Sequence, residues 1–256
     1  MRYVRCRSSD GPRWGLLEGG LVREIRGVPF GEWEPSGGTQ PLAALTLLAP
    51  CEPSKIVAIG LNYRAHAAES GVPVPDEPAM FLKAPSAVVG PGDAIIHPRR
   101  CARLDYEAEL ACVIKKRAHR VPEATALEYV LGYTCLNDVT ARDIQRMGGN
   151  FLNLTWGKGY DTFCPVGPCV TDEIDPDDTL VECYLNGRPV QSGSTRDFIF
   201  PMARQIAWVS NIMTLLPGDV VSTGTPAGIG PMKPGDVVEV RIIGIGSLSN
   251  PIVAEA

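Results

Sequence analysis

Residues 103–115 read Arg103-Leu104-Asp105-Tyr106-Glu107-Ala108-Glu109-Leu110-Ala111-Cys112-Val113-Ile114-Lys115. The residues alternate with a period of two, the repeat of a β-strand whose successive side chains point to opposite faces. Leu104, Tyr106, Ala108, Leu110, Cys112 and Ile114 share one face, and Asp105, Glu107 and Glu109 share the other. Residues two apart on a strand stand about 6.6–6.8 Å apart, so two long carboxylates can converge on one cation between them. A hard divalent ion such as Mg²⁺ takes oxygen ligands of this kind. A solvated strand face is the competing reading. The strongly apolar flanks and the single sign of charge count against it.

Outward from this strand, turn and strand signals dominate. Trp14–Leu17 and Leu21–Ile25 flank Glu18-Gly19-Gly20 as a hairpin, and Pro35–Gln40 has loop chemistry. Pro50–Pro53 marks a boundary between a small β-rich N-terminal domain, residues 1–52, and a main domain, residues 53–256. Lys55–Ile59 reads as a buried strand opening that domain. Pro122 starts a helix through Ala124, Leu127 and Val130, stopped by Gly132, and Asp138–Met147 is a second helix ended by Gly148-Gly149. Asn186-Gly187 joins Thr179–Leu185 to Pro189–Gln191 as a hairpin. Pro201 opens a helix with Ile206, Val209, Ile212 and Met213 on its apolar face, and Val237–Ile243 is a final strand. Strands outnumber helices, so the expected class is α+β, mainly β.

Composition narrows the function. The chain has 256 residues with 24 Lys+Arg against 29 Asp+Glu, a formal net charge of −5, which argues against nucleic-acid binding. The 45% hydrophobic content implies a buried core, and 27 glycines with 23 prolines imply frequent turns. The longest uncharged stretch, Pro35–Cys51, is interrupted by glycine and proline and is too short to span a membrane. No apolar run follows the basic residues at the N-terminus. A soluble, cytoplasmic protein is expected. The eight cysteines form no Cys-x-x-Cys pair and read as reduced and mostly buried.

Several further residues carry candidate chemistry. Asp138 is a third carboxylate candidate, and Arg142 and Gln145 would project from the same side of a helix beginning there. A cation and an amide at that place suit a carboxylate substrate; a surface Asp–Arg pair is the alternative. His66 and Glu69, at i and i+3, would bring an imidazole and a carboxylate together, either as a proton-transfer dyad or as a surface pair. Lys158 lies between glycines in Trp156–Asp161 and is either an anion holder or a surface lysine. Thr223–Gly230 is either a simple turn or a loop offering hydroxyls and amides to an anion.

Taken in order, these pieces resemble the fumarylacetoacetate hydrolase family. The resemblance rests on Gly60-Leu61-Asn62-Tyr63 with His66 and Glu69, on Phe81-Leu82-Lys83 ahead of Gly90-Pro91-Gly92-Asp93, and on Asp105–Leu110. It continues through Gly132-Tyr133, Asn137–Asp143, Lys158 ahead of Asp161-Thr162-Phe163, Asn186-Gly187, Pro217-Gly218-Asp219 and Thr223–Gly228. It spans roughly residues 55–253 and is most similar to bacterial acylpyruvate hydrolases and 2-hydroxyhepta-2,4-diene-1,7-dioate isomerases.

The resemblance implies a mixed β-sandwich roll, usually a homodimer, with Mg²⁺, or alternatively Mn²⁺ or Ca²⁺, held by Glu107, Glu109 and Asp138. It implies His66 and Glu69 as a water-activating dyad on a segment that orders over the ligand, connected through Gly71–Pro78. It implies that Lys158, Arg142, Gln145 and Thr225 bind a keto acid's carboxylate and the developing enolate. The first expected activity is hydrolysis of C–C bonds in acylpyruvate-type 1,3-diketo acids. Decarboxylation or isomerisation of 2-oxo dicarboxylates by the same ligands is the alternative, and a non-catalytic metal-binding homologue is a third. One departure stands out. The stretch from Arg146 to Gly157 lacks the basic residue that the commonest family version carries shortly before the lysine, so a changed preference for substrate size or charge is expected.

Overall fold

The apolar run Ile56-Val57-Ala58-Ile59 forms the strand Ile56–Gly60, buried along all but its last residue. Burial on both faces suits its place inside a sheet, between Val220–Ser222, which it pairs in parallel, and Ala79–Lys83, which it pairs antiparallel. The sheet order runs Trp33–Pro41, Leu21–Gly27, Gly11–Glu18, Arg2–Ser8, Cys164–Thr171, Val130–Asn137, Ala108–Ile114, Val220–Ser222, Ile56–Gly60, Ala79–Lys83. A second sheet runs Arg188–Ser194, Leu180–Leu185, Val237–Ile242, Gly246–Ala254, Ile95–His97, and it lies against the middle strands of the first. One apolar core takes in Leu110, Cys112, Val166, Val240 and Leu248. The computed structural model describes residues 1–147 and 153–256.

The architecture is mainly β with few helices, as expected, and the local predictions divide. The Glu18-Gly19-Gly20 hairpin forms. Asn186-Gly187 turns with φ of 52° and 77°, the left-handed values that a two-residue hairpin needs. All eight cysteines are free and buried. Among the described residues, no helix is long and apolar enough to cross a membrane.

The differences have physical reasons. Pro35–Gln40 lies within the strand Trp33–Pro41, at the edge of the sheet, where missing proline donors break no ladder. The Pro122 segment is a 3₁₀ helix, Glu123–Tyr129, and Gly132 lies inside the next strand. A Cβ on Gly132 would stand 2.7 Å from the Thr171 backbone, so glycine there permits close strand approach and ends no helix. Ile212 is 55% exposed, off the buried face of its helix. Val237–Ile242 is followed by a further strand, Gly246–Ala254, so it is not the last. The predicted Asp138–Met147 helix shrinks to Arg142–Gln145, because Thr140-Ala141 pair with Leu104–Asp105. Its predicted stop, Gly148-Gly149, lies outside the described residues, as does part of the departing segment.

The largest correction concerns residues 103–115. The expected single strand is two, Leu104–Tyr106 and Ala108–Ile114, each buried along its whole length. The first joins a small sheet with Thr140–Ala141 and Gly230–Met232, and the second joins the large sheet. The chain changes sheets at Glu107.

Candidate active site

Among the described residues there are four short α-helices, α1 (Arg64–Glu69), α2 (Arg142–Gln145), α3 (Leu154–Lys158) and α4 (Met202–Ile212). The first three surround the point where the chain changes sheets. Glu107 is held there by its own backbone: its amide donates to Asn137 Oδ1 at 3.0 Å, and its carbonyl accepts from the Asp138 amide at 2.9 Å. Ala108 pairs with Asn137 across the adjoining strands, so Asp138 leaves the ladder beside Glu107. Glu109 sits two residues on, accepting from the Ser222 hydroxyl and from the Gly224 amide at 3.0 Å. Glu107, Glu109 and Asp138 are buried, and their ligand oxygens lie within 4.8 Å of one another.

Cations surround this cluster. Lys158, the last residue of α3, is 3% exposed and donates to Glu107 at 2.9 Å, Asp138 at 2.6 Å and the Thr140 hydroxyl at 2.7 Å. Arg142 opens α2 and donates from Nε to Asp105 at 2.9 Å, from Nη1 to Gln145 at 2.7 Å, and from Nη2 to Glu107. Asp105, expected on the same face as Glu107 and Glu109, is instead buried between Arg142 and Arg103.

The electrostatics separate the two glutamates. Burial pushes the Glu107 carboxyl up, but the Lys158 and Arg142 charges outweigh it and bring the pKa down to about 2. Among the described residues, Glu109 has no cation in direct contact. Burial, then the negative charges of Asp138 and Glu107, hold it well above the carboxylate range. Lys158 is held charged because Asp138 and Glu107 overcome the opposing effect of burial. Three converging buried carboxylates, one of them lacking a charge partner, form an all-oxygen donor set that fits a hard divalent cation.

These groups form one side of a cleft of about 340 Å³, which also takes in His66, Gln145 and Thr225. His66 and Glu69 lie on α1, with Nδ1 2.9 Å from Oε2, and Glu69 also accepts from the Gly228 amide at 3.0 Å. Asn62 fixes the entry to α1 by donating to the Thr223 carbonyl at 2.8 Å and accepting from the Phe200 amide at 2.9 Å. A separate cleft of about 390 Å³, among the N-terminal strands, is lined by Arg7, Asp10, Arg13 and Glu24, and its acids pair with Arg13 near the surface.

Comparison with known proteins decides the kinship. The fumarylacetoacetate (FAA) hydrolase C-terminal family matches residues 55–253, and the Rv2993c-like N-terminal family matches residues 1–50. The chain belongs to the fumarylacetoacetate hydrolase family. It is 43% identical to Protein Rv2993c of Mycobacterium tuberculosis over 263 residues, covering 99% of this chain and 98% of that one. It is 44% identical over 220 residues to a mitochondrial oxaloacetate tautomerase, fahd2, of Xenopus laevis, covering 82% and 69% respectively. The crystal structure of 5-carboxymethyl-2-hydroxymuconate delta-isomerase from Mycobacterium smegmatis superimposes with a TM-score of 0.92 at 41% identity, over the whole of both chains. The protein is thus an enzyme of the fumarylacetoacetate hydrolase family with isomerase- and tautomerase-type relatives.

Behind this cleft, Lys83 is a residue to which the sequence pattern, though it includes Phe81-Leu82-Lys83, assigned no role. This fully buried lysine donates to Asp138 at 2.5 Å and to the Lys158 carbonyl at 2.8 Å, fixing a ligand candidate and the end of α3 together. Its signal was a lone charge ending the apolar Ala79–Lys83 strand. Thr225 lines the cleft, but its hydroxyl donates to the Ala108 carbonyl at 2.9 Å and accepts from Gln191 at 2.9 Å. In the departing segment, Trp156 carries the Arg100 guanidinium over its ring, 4.7 Å from the centroid.

Proposed function

We propose that the protein shifts a proton on a small 2-oxo dicarboxylic acid through an enolate, a tautomerase- or isomerase-type reaction, with Mg²⁺ or Mn²⁺ as its ion. The observation that carries this reading is the cleft floor, where Lys158 lies 2.9 and 2.6 Å from two of three converging buried carboxylates. A divalent ion held by Glu107, Glu109 and Asp138 would supply Lewis-acid polarisation of the 2-oxo oxygen. Lys158 keeps a positive charge at the same place, so negative charge developing on the substrate oxygen meets a preorganised donor. Arg142 and Gln145 sit beside it on one turn of helix, where a guanidinium and an amide orient the adjoining carboxylate. The relatives named tautomerase and delta-isomerase support proton transfer as the reaction.

The test uses oxaloacetate supplied as its enol, followed by loss of enol absorbance with Mg²⁺ or Mn²⁺ present. Decay faster than in buffer with wild-type protein, but not with Glu107→Ala/Glu109→Ala, is expected. Decay at the buffer rate with both proteins would overturn the reading. Pyruvate appearing in step with oxaloacetate loss would mark decarboxylation instead.

A second reading, hydrolysis of acylpyruvates, is favoured by the dyad. Glu69 orients the His66 imidazole at 2.9 Å, and His66 lines the same cleft, where it can take a proton from water. Attack of that water on the distal carbonyl breaks the C–C bond, leaving a carboxylate and a pyruvate enolate that is then protonated. Acetylpyruvate and fumarylpyruvate would be consumed, and His66→Ala would abolish this while sparing oxaloacetate turnover. The working assembly is proposed to be a homodimer, which sedimentation equilibrium tests.

A further inference from the structure

Arg142 is the cation expected to hold the carboxylate beside the 2-oxo group, and three of its five N–H donors are engaged by Asp105, Gln145 and Glu107, so little of it is left for a second carboxylate. Arg146 differs. It caps the C-terminus of α2, its amide bonding back to the Arg142 carbonyl at 3.3 Å, and its side chain lines the cleft from an exposed position. Among the described residues its guanidinium makes no ion pair and no hydrogen bond. The neighbouring stretch 148–152, Gly-Gly-Asn-Phe-Leu, contains no acid that could neutralise it. Residues four apart on a helix share a face, so Arg146, the C-cap residue, stands about 6 Å beyond Arg142, from the buried floor towards solvent.

Resting on the enolate reading above, we infer that Arg146 is the specificity residue for the second, distal carboxylate of a dicarboxylic substrate. The charge inventory of the lining agrees. Glu107, Glu109 and Asp138 are matched in number by Lys158, Arg142 and Arg146. A divalent ion therefore leaves two net positive charges on the lining, the complement of a dicarboxylate. Without Arg146 the surplus is one, the complement of a monocarboxylate. Behind the lining, Lys83 adds a further positive charge on Asp138, Arg103 pairs with Asp105, and Glu69 faces His66 and the Gly228 amide. A planar guanidinium is suited to grip a carboxylate with two parallel hydrogen bonds.

The test compares two inert ligands by calorimetry on Mg²⁺-loaded protein: oxalate, which lacks a distal carboxylate, and malate, which has one. Arg146→Met should weaken malate binding by ~10- to 100-fold, the usual worth of a hydrogen-bonded charge, while oxalate affinity moves less than about twofold. Arg146→Lys should restore part of the malate affinity, since it keeps the charge and loses the fork. In kinetics, the preference for fumarylpyruvate over acetylpyruvate, or KM for oxaloacetate, should shift in the same sense. Equal losses for malate and oxalate, or no loss for either, would overturn the assignment while leaving the enolate reading intact. Wild-type protein that binds neither ligand would remove the enolate reading, and this assignment with it.

Discussion

Two stretches of the same sheet use their charges in opposite ways. In the N-terminal strands, Trp33–Pro41 is largely exposed, and charges pair at the surface, as Arg13 with Glu24 and Arg26 with Glu34. Such pairs are screened by solvent and contribute little. In the central strands, Ala108–Ile114 is buried at every residue, and Glu107, Glu109 and Asp138 converge beside Lys158 and Lys83. Buried charges like these stay costly unless geometry and partners are held in place. The ladder is continuous, since Tyr3 pairs with Val170 on the strand next to Val130–Asn137. Depth in the sheet, and not strand character, separates a solvated surface from a reactive one.

Four experiments break or sharpen that contrast. The largest effect should come from Glu107→Ala/Glu109→Ala, which should cut enol turnover by at least ~10³-fold, the kinetic equivalent of several kcal/mol. Thermal melting should find a lower midpoint but a retained fold, because Lys158 and Arg142 lose Glu107 yet keep Asp138 and Asp105; an unfolded variant would show that the cluster is structural.

Next is Gly132→Ala in the central ladder, where a methyl group would press on the Thr171 backbone. Urea titration should show a loss of ~2–3 kcal/mol from overpacking.

Thiol labelling compares the regions directly. Burial pushes the Cys6 thiol up to about 11 and the Cys112 thiol to about 12, so both should resist reagent at pH 8 in the folded state. Cys6, on the N-terminal strand Arg2–Ser8, should label roughly tenfold faster than Cys112, through local opening that costs about 1.4 kcal/mol less. Equal rates would mean that the sheet opens as one unit.

The smallest effect belongs to Gly20→Ala, at φ +80° with no atom within 4 Å of the new methyl group. Only backbone strain of about 1 kcal/mol should appear, with enol turnover unchanged.

Legibility followed the range of the interaction. The His66–Glu69 pairing was readable because i and i+3 meet on one helical turn. The Asn186-Gly187 hairpin was readable because its backbone angles favour those residues. Lys83 was hidden because its partners Asp138 and Lys158 are 55 and 75 residues away. The helix expected from Asp138 failed for a related reason: strand pairing by Thr140-Ala141 outweighed local propensity. Pro35–Gln40 looked like a loop because composition does not reveal that a segment will find an open sheet edge.

By itself the sequence determined the inventory and its short-range order: a mainly β chain, paired glutamates two residues apart, an imidazole with its carboxylate, and turns at their proper glycines. Tertiary structure alone decided which carboxylates meet. Asp105 and Glu107 look equivalent in the period-two pattern, yet the chain changes sheets between Tyr106 and Ala108, sending one to an arginine pair and the other to the cleft floor. Side-chain periodicity is set by backbone geometry within a few residues. The distance between buried charges is set by strand register and by contacts across the chain, where burial makes each ångström count.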